Sequence, residues 1–336
     1  MMETIRVIQV GLGPIGQGIV KFLLEREGFE LVAAVDTAAD KVGKDVGQLC
    51  GLDKKIGIKV RDDLSETIED TNPDVAIVST ASSMEKVAPL IEQILSASVA
   101  VVTTCEEMAY PWMTQGALSK RLDESARKAG VAVLATGVNP GFLMDFLPLC
   151  FTAICQKVEK IKVQRIQDAS TRRVPFQQKI GAGLTLEQFE ARRESGTLRH
   201  VGLTESMHMI AARLGWKLEK TEDVLEPVVA DKEITSGYIP IKPGMVAGVR
   251  QTGRGYVNGE EVITLEFVAA VGQNDPADVV EIDGQPKIKS IIPGGINGDV
   301  ATCAIAVNAI GSIVSAEPGL RTMADMPPIT FFNALT

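Results

Sequence analysis

Histidine and clustered cysteine are what this 336-residue sequence has least of. Its histidines are His200 and His208, and its five cysteines, Cys50, Cys105, Cys150, Cys155 and Cys303, are scattered along the chain. No soft ligands stand at metal-binding spacing, so no metal site is expected. An odd number of thiols in mostly apolar surroundings excludes a disulfide framework and fits reduced cysteines in a cytoplasm. Positive charge is also short, with 34 Lys and Arg against 43 Asp and Glu and a net charge of −9. That balance argues against a nucleic-acid or membrane-surface partner. No apolar run reaches the length of a membrane span. The start of the chain reads as a strand carrying both signs of charge, not as a signal peptide. Repeats, low-complexity tracts and long Pro- or Ser-rich linkers are missing, and the length favours two domains.

What is present begins at the first strand. Ile5–Val10 is a short apolar run of the kind buried on both faces. Gly11, Gly13 and Gly16 follow as G-x-G-x-x-G. The first allows a tight turn, the second lets backbone approach a pyrophosphate, and the third lets helix pack close to strand. Pro14 falls where a first helical residue needs no N–H. A helix from Pro14 to about Glu25, with Ile15, Ile19, Phe22 and Leu23 on one stripe, would aim its amides at phosphate. Gly11, Gly13, Pro14, Ile15 and Gly16 are therefore expected to line a dinucleotide. A second strand, Phe29 to Val35, ends in Asp36, about 25 residues after the first glycine, where an acid binds the ribose hydroxyls of NAD. Asp36 favours NAD over NADP by repelling a 2′-phosphate, although Lys41 and Lys44 lie near and keep NADP open.

Strands and helices then alternate. A short strand at 57–60, a strand at 74–78, a helix at 84–95, a strand at 99–103, a helix at 111–129 and a strand at 131–134 predict a Rossmann-type, doubly wound parallel sheet. Ligands are expected at the carboxyl ends of its strands. Two such ends are Ser79–Ser83, with Thr80, Ala81 and Ser82 as cofactor contacts, and Thr103–Glu107. The pattern changes after Asn139-Pro-Gly141. Residues 142–155 can form a helix, 158–167 and 259–271 alternate as strands with one covered face, and 184–194 and 203–214 read as helices. The predicted organisation is a cofactor domain over 1–141, an α+β substrate and dimerisation domain over 142–290, and a C-terminal segment over 291–336. A helix at 299–315 in that last segment would return to the first domain. The cleft between the domains is the natural site.

Beyond the glycine motif, Thr104-Cys-Glu-Glu-Met-Ala-Tyr-Pro-Trp112, Thr136-Gly-Val-Asn-Pro-Gly-Phe142, Val174-Pro-Phe-Gln-Gln-Lys-Ile-Gly-Ala-Gly183, His200-Val-Gly-Leu203 and Gly295-Ile-Asn-Gly-Asp299 span nearly the whole chain. With them the sequence resembles the 2,4-diaminopentanoate dehydrogenases and the native amine dehydrogenases related to them. The first domain also resembles that of dihydrodipicolinate reductase, but the adjacent histidines and lysine of that enzyme's site are missing here. The resemblance implies NAD(P)-dependent oxidative deamination, 2,4-diaminopentanoate giving 2-amino-4-oxopentanoate and ammonia, with reductive amination as the reverse. A variant of this reading is an enzyme for simple alkylamines.

Such chemistry needs a base for an ammonium or water proton and an anion beside an iminium. By the family's pattern that base is Glu106, with Glu107 as its competitor on the other side of the chain. Both could instead solvate a strand end. Asn139 could hold the nicotinamide or the substrate nitrogen, or serve only its own turn. Phe142 and Leu143 can wall the pocket or belong to the core, and the related amine dehydrogenases can carry a bulkier residue at the position of Leu143. Arg172, Arg173, Gln177 and Lys179 could grip the substrate carboxylate, or form a solvated loop or subunit interface. His200 is a candidate secondary acid or a structural partner, His208 a structural residue, and Thr302 a pocket residue. A homodimer in the cytoplasm is expected. Two rivals stand apart from this reading. Cys105 could be a nucleophile, as in acylating aldehyde dehydrogenases, or the chain could sense NAD without turnover.

Overall fold

A computed structural model describes residues 4–198 and 200–333. It divides the chain into two compact units, Met1–Phe142 with Asn297–Thr336, and Leu143–Ile296. The first unit opens as a βα alternation. β1 (Ile5–Val10), α1 (Pro14–Leu24), β2 (Phe29–Val35), α2 (Val46–Leu49), β3 (Val60–Arg61), α3 (Leu64–Thr71) and β4 (Val75–Val78) come first. They are followed by α4 (Met84–Ser96), β5 (Ala100–Thr103), α5 (Gly116–Ala129) and β6 (Ala132–Ala135). The strands are parallel in the order β6-β5-β4-β1-β2-β3. Every residue of β4, β5 and β6 is buried, as expected where helices cover both faces of a parallel sheet.

The register matters for function. Val10 pairs with both Val35 and Val78, Val78 with Thr103, and Thr103 with Ala135. Five strands thus end at one level, and the loops that follow them leave side by side. The chain runs outward from β1 through β2 to β3, then crosses to β4 on the other side of β1. The carboxyl ends of β1 and β4 therefore flank the switch point where ligands bind in such sheets.

The second unit holds α6 (Phe146–Thr152), β7 (Lys157–Asp168), α7 (Val174–Lys179), α8 (Leu186–Glu194), α9 (Leu203–Leu214), β8 (Lys220–Val229), a ribbon of β9 (Ile234–Thr235) and β10 (Pro240–Ile241), β11 (Val246–Val257), β12 (Glu260–Ala270), β13 (Ala277–Gln285) and β14 (Ile288–Pro293). Its six-stranded sheet runs β14-β13-β7-β12-β11-β8, with only the β7–β12 pair parallel. One face is apolar: Ile161, Val163, Ile263 and Leu265 pack against Leu203, Met207 and Ile210 of α9.

The chain then re-enters the first unit through α10 (Gly298–Asn308), α11 (Ile310–Val314) and β15 (Gly319–Arg321), which adds to the sheet beside β6. Asn297 caps α10 by accepting from the amides of Asp299 and Val300, and α10 lies against α1 so closely that a Cβ on Gly18 would sit 2.6 Å from Cys303 Sγ.

Several element boundaries differ from expectation for local reasons. The helix expected over 111–129 starts at Gly116, because 110–115 is a chain of turns. The helix expected over 142–155 begins at Phe146, where Asp145 accepts from the Phe146 amide. The returning helix breaks at Ala309 into two, and the short strand lies at Val60–Arg61, past the end of 57–60 except for one residue. Strands β8, β11, β13 and β14, and the short β9, β10 and β15, have no counterpart in the sequence reading. No helix among the described residues is long and apolar enough to cross a membrane.

Candidate active site

The glycine turn follows β1 as the spacing requires. Gly11 has a φ of +89°, and a Cβ there would come within 2.7 Å of the Ser79 carbonyl oxygen, so the β1 and β4 turns touch. A Cβ on Gly16 would lie 2.0 Å from the Gly11 carbonyl oxygen, so α1 can pack on the turn only with glycine at this position. Around Gly13 a Cβ would meet no protein atom within 4 Å. That clear space beside the first amides of α1 is what an approaching pyrophosphate needs. The adjoining cleft, about 680 Å³, is lined by Gly11, Gly13, Asp36, Lys41, Ser79 and Thr80 among others. Its shape and donors fit a dinucleotide. Pro14 is exposed and Ile15 half-buried at the start of α1.

Asp36 sits at the end of β2 and is closely held. Its Oδ2 accepts from the Leu12 amide at 2.7 Å and from Lys41 Nζ at 2.7 Å, and its Oδ1 accepts from the Ala38 amide at 2.9 Å. Burial alone would raise its pKa, but the hydrogen bonds from Lys41, Ala38 and Leu12, together with the Lys41 charge, outweigh it and hold the carboxyl below its ordinary value. Asp62 and Asp63 also line this end of the cleft.

At the end of β5 the two candidate glutamates part company. Residues 106–108 form a 3₁₀ turn. Glu107 Oε2 accepts from the Met84 amide at 2.8 Å, and the Glu107 amide donates to the Ser82 carbonyl. Glu107 therefore caps α4, a helix whose own cap residue, Ser83, makes no side-chain capping bond. Glu106 is half-buried, and among the described residues its carboxylate forms no hydrogen bond or ion pair. Between β5 and this turn lies Cys105, 2% exposed, its Sγ donating to the Ser82 carbonyl at 3.1 Å. Burial and then the neighbouring Glu106 charge push its thiol pKa well up, the opposite of an activated nucleophile. Thr80 is exposed and Ala81 and Ser82 are half-buried on the adjacent loop.

The loop after β6 starts one strand further on, where the Thr136 amide donates to the Thr103 carbonyl at 2.9 Å. It is compact: a Cβ on Gly141, whose φ is +120°, would lie 2.6 Å from the Gly137 nitrogen, and the Asn139–Pro140 peptide is cis. Asn139 is 9% exposed. Thr302 of α10 braces this loop by accepting from the Val138 amide at 3.2 Å. Phe142 is half-buried at the end of the unit's first segment. In strand order the rim therefore carries Asn139, Glu106 and Glu107, Thr80–Ser82, Gly11–Gly16 and Asp36.

The remaining candidates lie in the second unit. Leu143 is 1% exposed and faces a narrow cavity with Val163, Arg165, Asp278 and Ile292. Arg172 donates from Nη1 to Gln167 Oε1 at 3.2 Å and stacks over the Phe176 ring. Gln177 is buried and spent internally, its amide donating to the Arg172 carbonyl at 2.8 Å and accepting from Ser236. Arg173 and Lys179 are exposed. His200 stacks on Phe267 with ring centroids 4.6 Å apart, and its backbone is bound on both sides by the Gln251 amide. His208 is half-buried on α9, and burial lowers its pKa. Among the described residues no group of three or more His, Cys, Asp or Glu could hold a metal.

Sequence reasoning passed over Gln9, Arg165 and Asp278. Gln9 is 1% exposed within β1, and a lone amide inside an apolar strand was the signal. Arg165 and Asp278 form a buried pair, 2% and 5% exposed and 3.4 Å apart, directly opposite on β7 and β13. Burial lowers the Arg165 pKa to about 10 against the pull of Asp278. Together they clamp the Ile296 backbone, Arg165 Nη2 donating to its carbonyl and its amide donating to Asp278. Only the pairing of distant strands shows this.

Comparisons with known proteins identify the family. Residues 142–334 match the family model described as the 2,4-diaminopentanoate dehydrogenase C-terminal domain, and residues 5–109 match that of the dihydrodipicolinate reductase N-terminus. The chain is 33% identical to a 2,4-diaminopentanoate dehydrogenase of Acetoanaerobium sticklandii, over 97% of this chain and 94% of that one. It is 23% identical to an amine dehydrogenase of Streptomyces virginiae, over 94% of each. Its fold superposes on the structure of an amine dehydrogenase from Mycobacterium smegmatis with a TM-score of 0.85 at 23% identity, covering 98% of this chain and 97% of the other. With a glycine cradle, a Cys-Glu-Glu turn at the sheet rim and this match along nearly its whole length, the chain belongs to the 2,4-diaminopentanoate dehydrogenase family.

Proposed function

We propose that the chain carries out nicotinamide-dependent oxidative deamination, in which 2,4-diaminopentanoate and water give 2-amino-4-oxopentanoate and ammonia, together with the reverse reductive amination. The observation that carries this reading is the division of labour after β5. Glu107 is occupied as the cap of α4, whereas Glu106 keeps a carboxylate with no hydrogen bond or ion pair among the described residues, two strands from the glycine turn. A bound nicotinamide supplies the hydride acceptor. Glu106 either takes the proton from the substrate ammonium, or stays ionised beside the iminium, stabilising it, and then takes the proton from the water that attacks the iminium carbon. Asn139, on the neighbouring loop, offers its amide to the nicotinamide or the substrate nitrogen, and Thr302 keeps that loop in place. Phe142 and Leu143 are proposed to shape the substrate space. Arg172 is proposed as the carboxylate donor, Gln177 as the support of its backbone, and His200 as a secondary acid.

Gly11–Gly16, Thr80, Ala81 and Ser82 would hold the dinucleotide, and Asp36 would favour NAD over NADP. We further propose a homodimer working in the cytoplasm. Apolar Val224, Val229 and Ile291 remain exposed on the two edge strands of the second unit, which supports self-association. The test is a panel of deaminations followed by NADH absorbance, with 2,4-diaminopentanoate, alanine-type amino acids and short alkylamines. Preference for the diamino acid is the expected result. Faster turnover of carboxylate-free amines would move the assignment to a general amine dehydrogenase, and tight NADH binding without turnover would favour a sensor.

A further inference from the structure

Gln9 is the fifth residue of a six-residue strand at the centre of the first unit's sheet, 1% exposed. A buried amide there costs desolvation that an aliphatic side chain would avoid. The cost is incompletely offset, since its Oε1 is buried with no hydrogen-bond partner among the described residues. Its nitrogen is fully used. Nε2 donates to the Gly11 carbonyl at 2.9 Å and to Ser79 Oγ at 2.8 Å, and Ser79 Oγ itself donates to the same Gly11 carbonyl at 3.1 Å. Because the Gly11 carbonyl can only accept, these contacts fix which end of the amide faces the turn.

The consequence lies in one peptide plane. The Gly11 carbonyl and the Leu12 N–H belong to the same rigid peptide. Gln9 and Ser79 hold its oxygen side, and Asp36 Oδ2 holds its nitrogen side at 2.7 Å. The oxygen is covered by Gly16, where a Cβ would lie 2.0 Å from it and 3.0 Å from Gln9 Nε2. An unanchored carbonyl at that point would lose its hydrogen bonds in a packed setting.

We infer that Gln9 is a positioning residue for the dinucleotide, tying the β1 turn to the β4 turn so that the amides at the start of α1 are set before the cofactor arrives. This rests on the dinucleotide reading of the cleft and adds a residue that would never touch the ligand. Preorganisation of this kind strengthens binding rather than folding.

The experiment compares NADH binding, read by nicotinamide fluorescence, with thermal unfolding in the unaltered full chain, Gln9→Met, Ser79→Ala and the double variant. Gln9→Met keeps the side-chain length and removes the buried amide. The expected result is an unfolding temperature at or above that of the unaltered chain, with Kd for NADH raised about tenfold, the scale of one or two such hydrogen bonds. In turnover, KM for NAD should rise more than kcat falls. The double variant should weaken binding by less than the product of the single effects, as expected of coupled partners. Unchanged Kd in a folded Gln9→Met overturns the inference, as does weakening that tracks a lowered unfolding temperature. If Gln9→Met does not fold, Ser79→Ala decides alone, and unchanged NADH affinity there overturns it. Failure of the unaltered chain to bind NADH would remove both this inference and the dinucleotide reading.

Discussion

Replacing the two adjacent glutamates one at a time should separate catalysis from capping. Glu106 makes no hydrogen bond or ion pair among the described residues, so Glu106→Gln should leave stability within roughly 0.5 kcal/mol, as for substitutions that remove no contact. It removes the carboxylate proposed to act as the base. General acid–base catalysis contributes about 10²–10⁴-fold, or about 2.7–5.4 kcal/mol at 1.36 kcal/mol per decade, and kcat should fall by that much while NADH affinity stays within about twofold. Glu107→Ala should do the reverse. Its Oε2 accepts the Met84 amide at the start of α4, and losing a helix N-cap costs about 0.5–2 kcal/mol. For a unit of this size that lowers the unfolding temperature by roughly 2–4 °C per kcal/mol. The displaced turn should reduce kcat by no more than about tenfold, the equivalent of 1.4 kcal/mol. Initial rates at saturating amine and NAD, with calorimetric unfolding on the same samples, measure both quantities. The reasoning fails if Glu107→Ala abolishes turnover in a stable protein, or if Glu106→Gln keeps its kcat.

Lys41→Met should lower kcat/KM for NADP by about tenfold or more, the range of one charge-assisted contact, because Lys41 offsets the Asp36 charge that a 2′-phosphate would meet. An equal loss with NAD would make Lys41 merely structural. Gly13→Ala, whose Cβ meets no protein atom, should fold normally and raise KM for NAD. Gly16→Ala, 2.0 Å from the Gly11 carbonyl oxygen, should instead lose thermal stability, and calorimetry with steady-state kinetics distinguishes the two. Cys105 should resist iodoacetamide in the folded protein, since burial raises its pKa, and Cys105→Ser should retain deaminase activity. Rapid inactivation at that residue, mapped by mass spectrometry, would restore the thiol-nucleophile reading. The Asp36 pKa is lowered on folding, so its stabilising contribution is present above the unfolded value near 3.8 and lost as pH falls through the folded one. Asp36→Asn should flatten that part of an acid unfolding curve, and an unchanged acid limb would contradict it.

The glycine turn and the acid that ends the next strand were legible because they are built from residues close in sequence. Gly11, Gly13, Pro14 and Gly16 specify a turn and a helix start through local sterics, and Asp36 closes the next strand, so spacing alone places them. The buried strands β4, β5 and β6 are short apolar runs bounded by polar turns, which is also a local signal. The second sheet was harder to read. β8 carries Glu222, Asp223, Glu226 and Pro227 and is tolerated as a strand because it lies at the sheet edge, where a proline costs no ladder bond. β11 is interrupted by Gly248, Gly253 and Gly255. At 248 a Cβ would lie 2.0 Å from the Ala269 carbonyl oxygen, and at 253 it would meet Met207 at 3.2 Å. Glycine weakens a strand signal in the sequence, and here Gly248 and Gly253 stand where a neighbouring strand and a helix approach closely. The different hydrogen bonding of Glu106 and Glu107 was hidden for the same reason. Nothing in Cys-Glu-Glu states that the second glutamate will find the Met84 amide, 23 positions earlier. Once β4 and β5 pair in register, the loop after β5 lies over the start of α4, and one of two chemically identical side chains becomes a cap while the other forms no hydrogen bond or ion pair among the described residues.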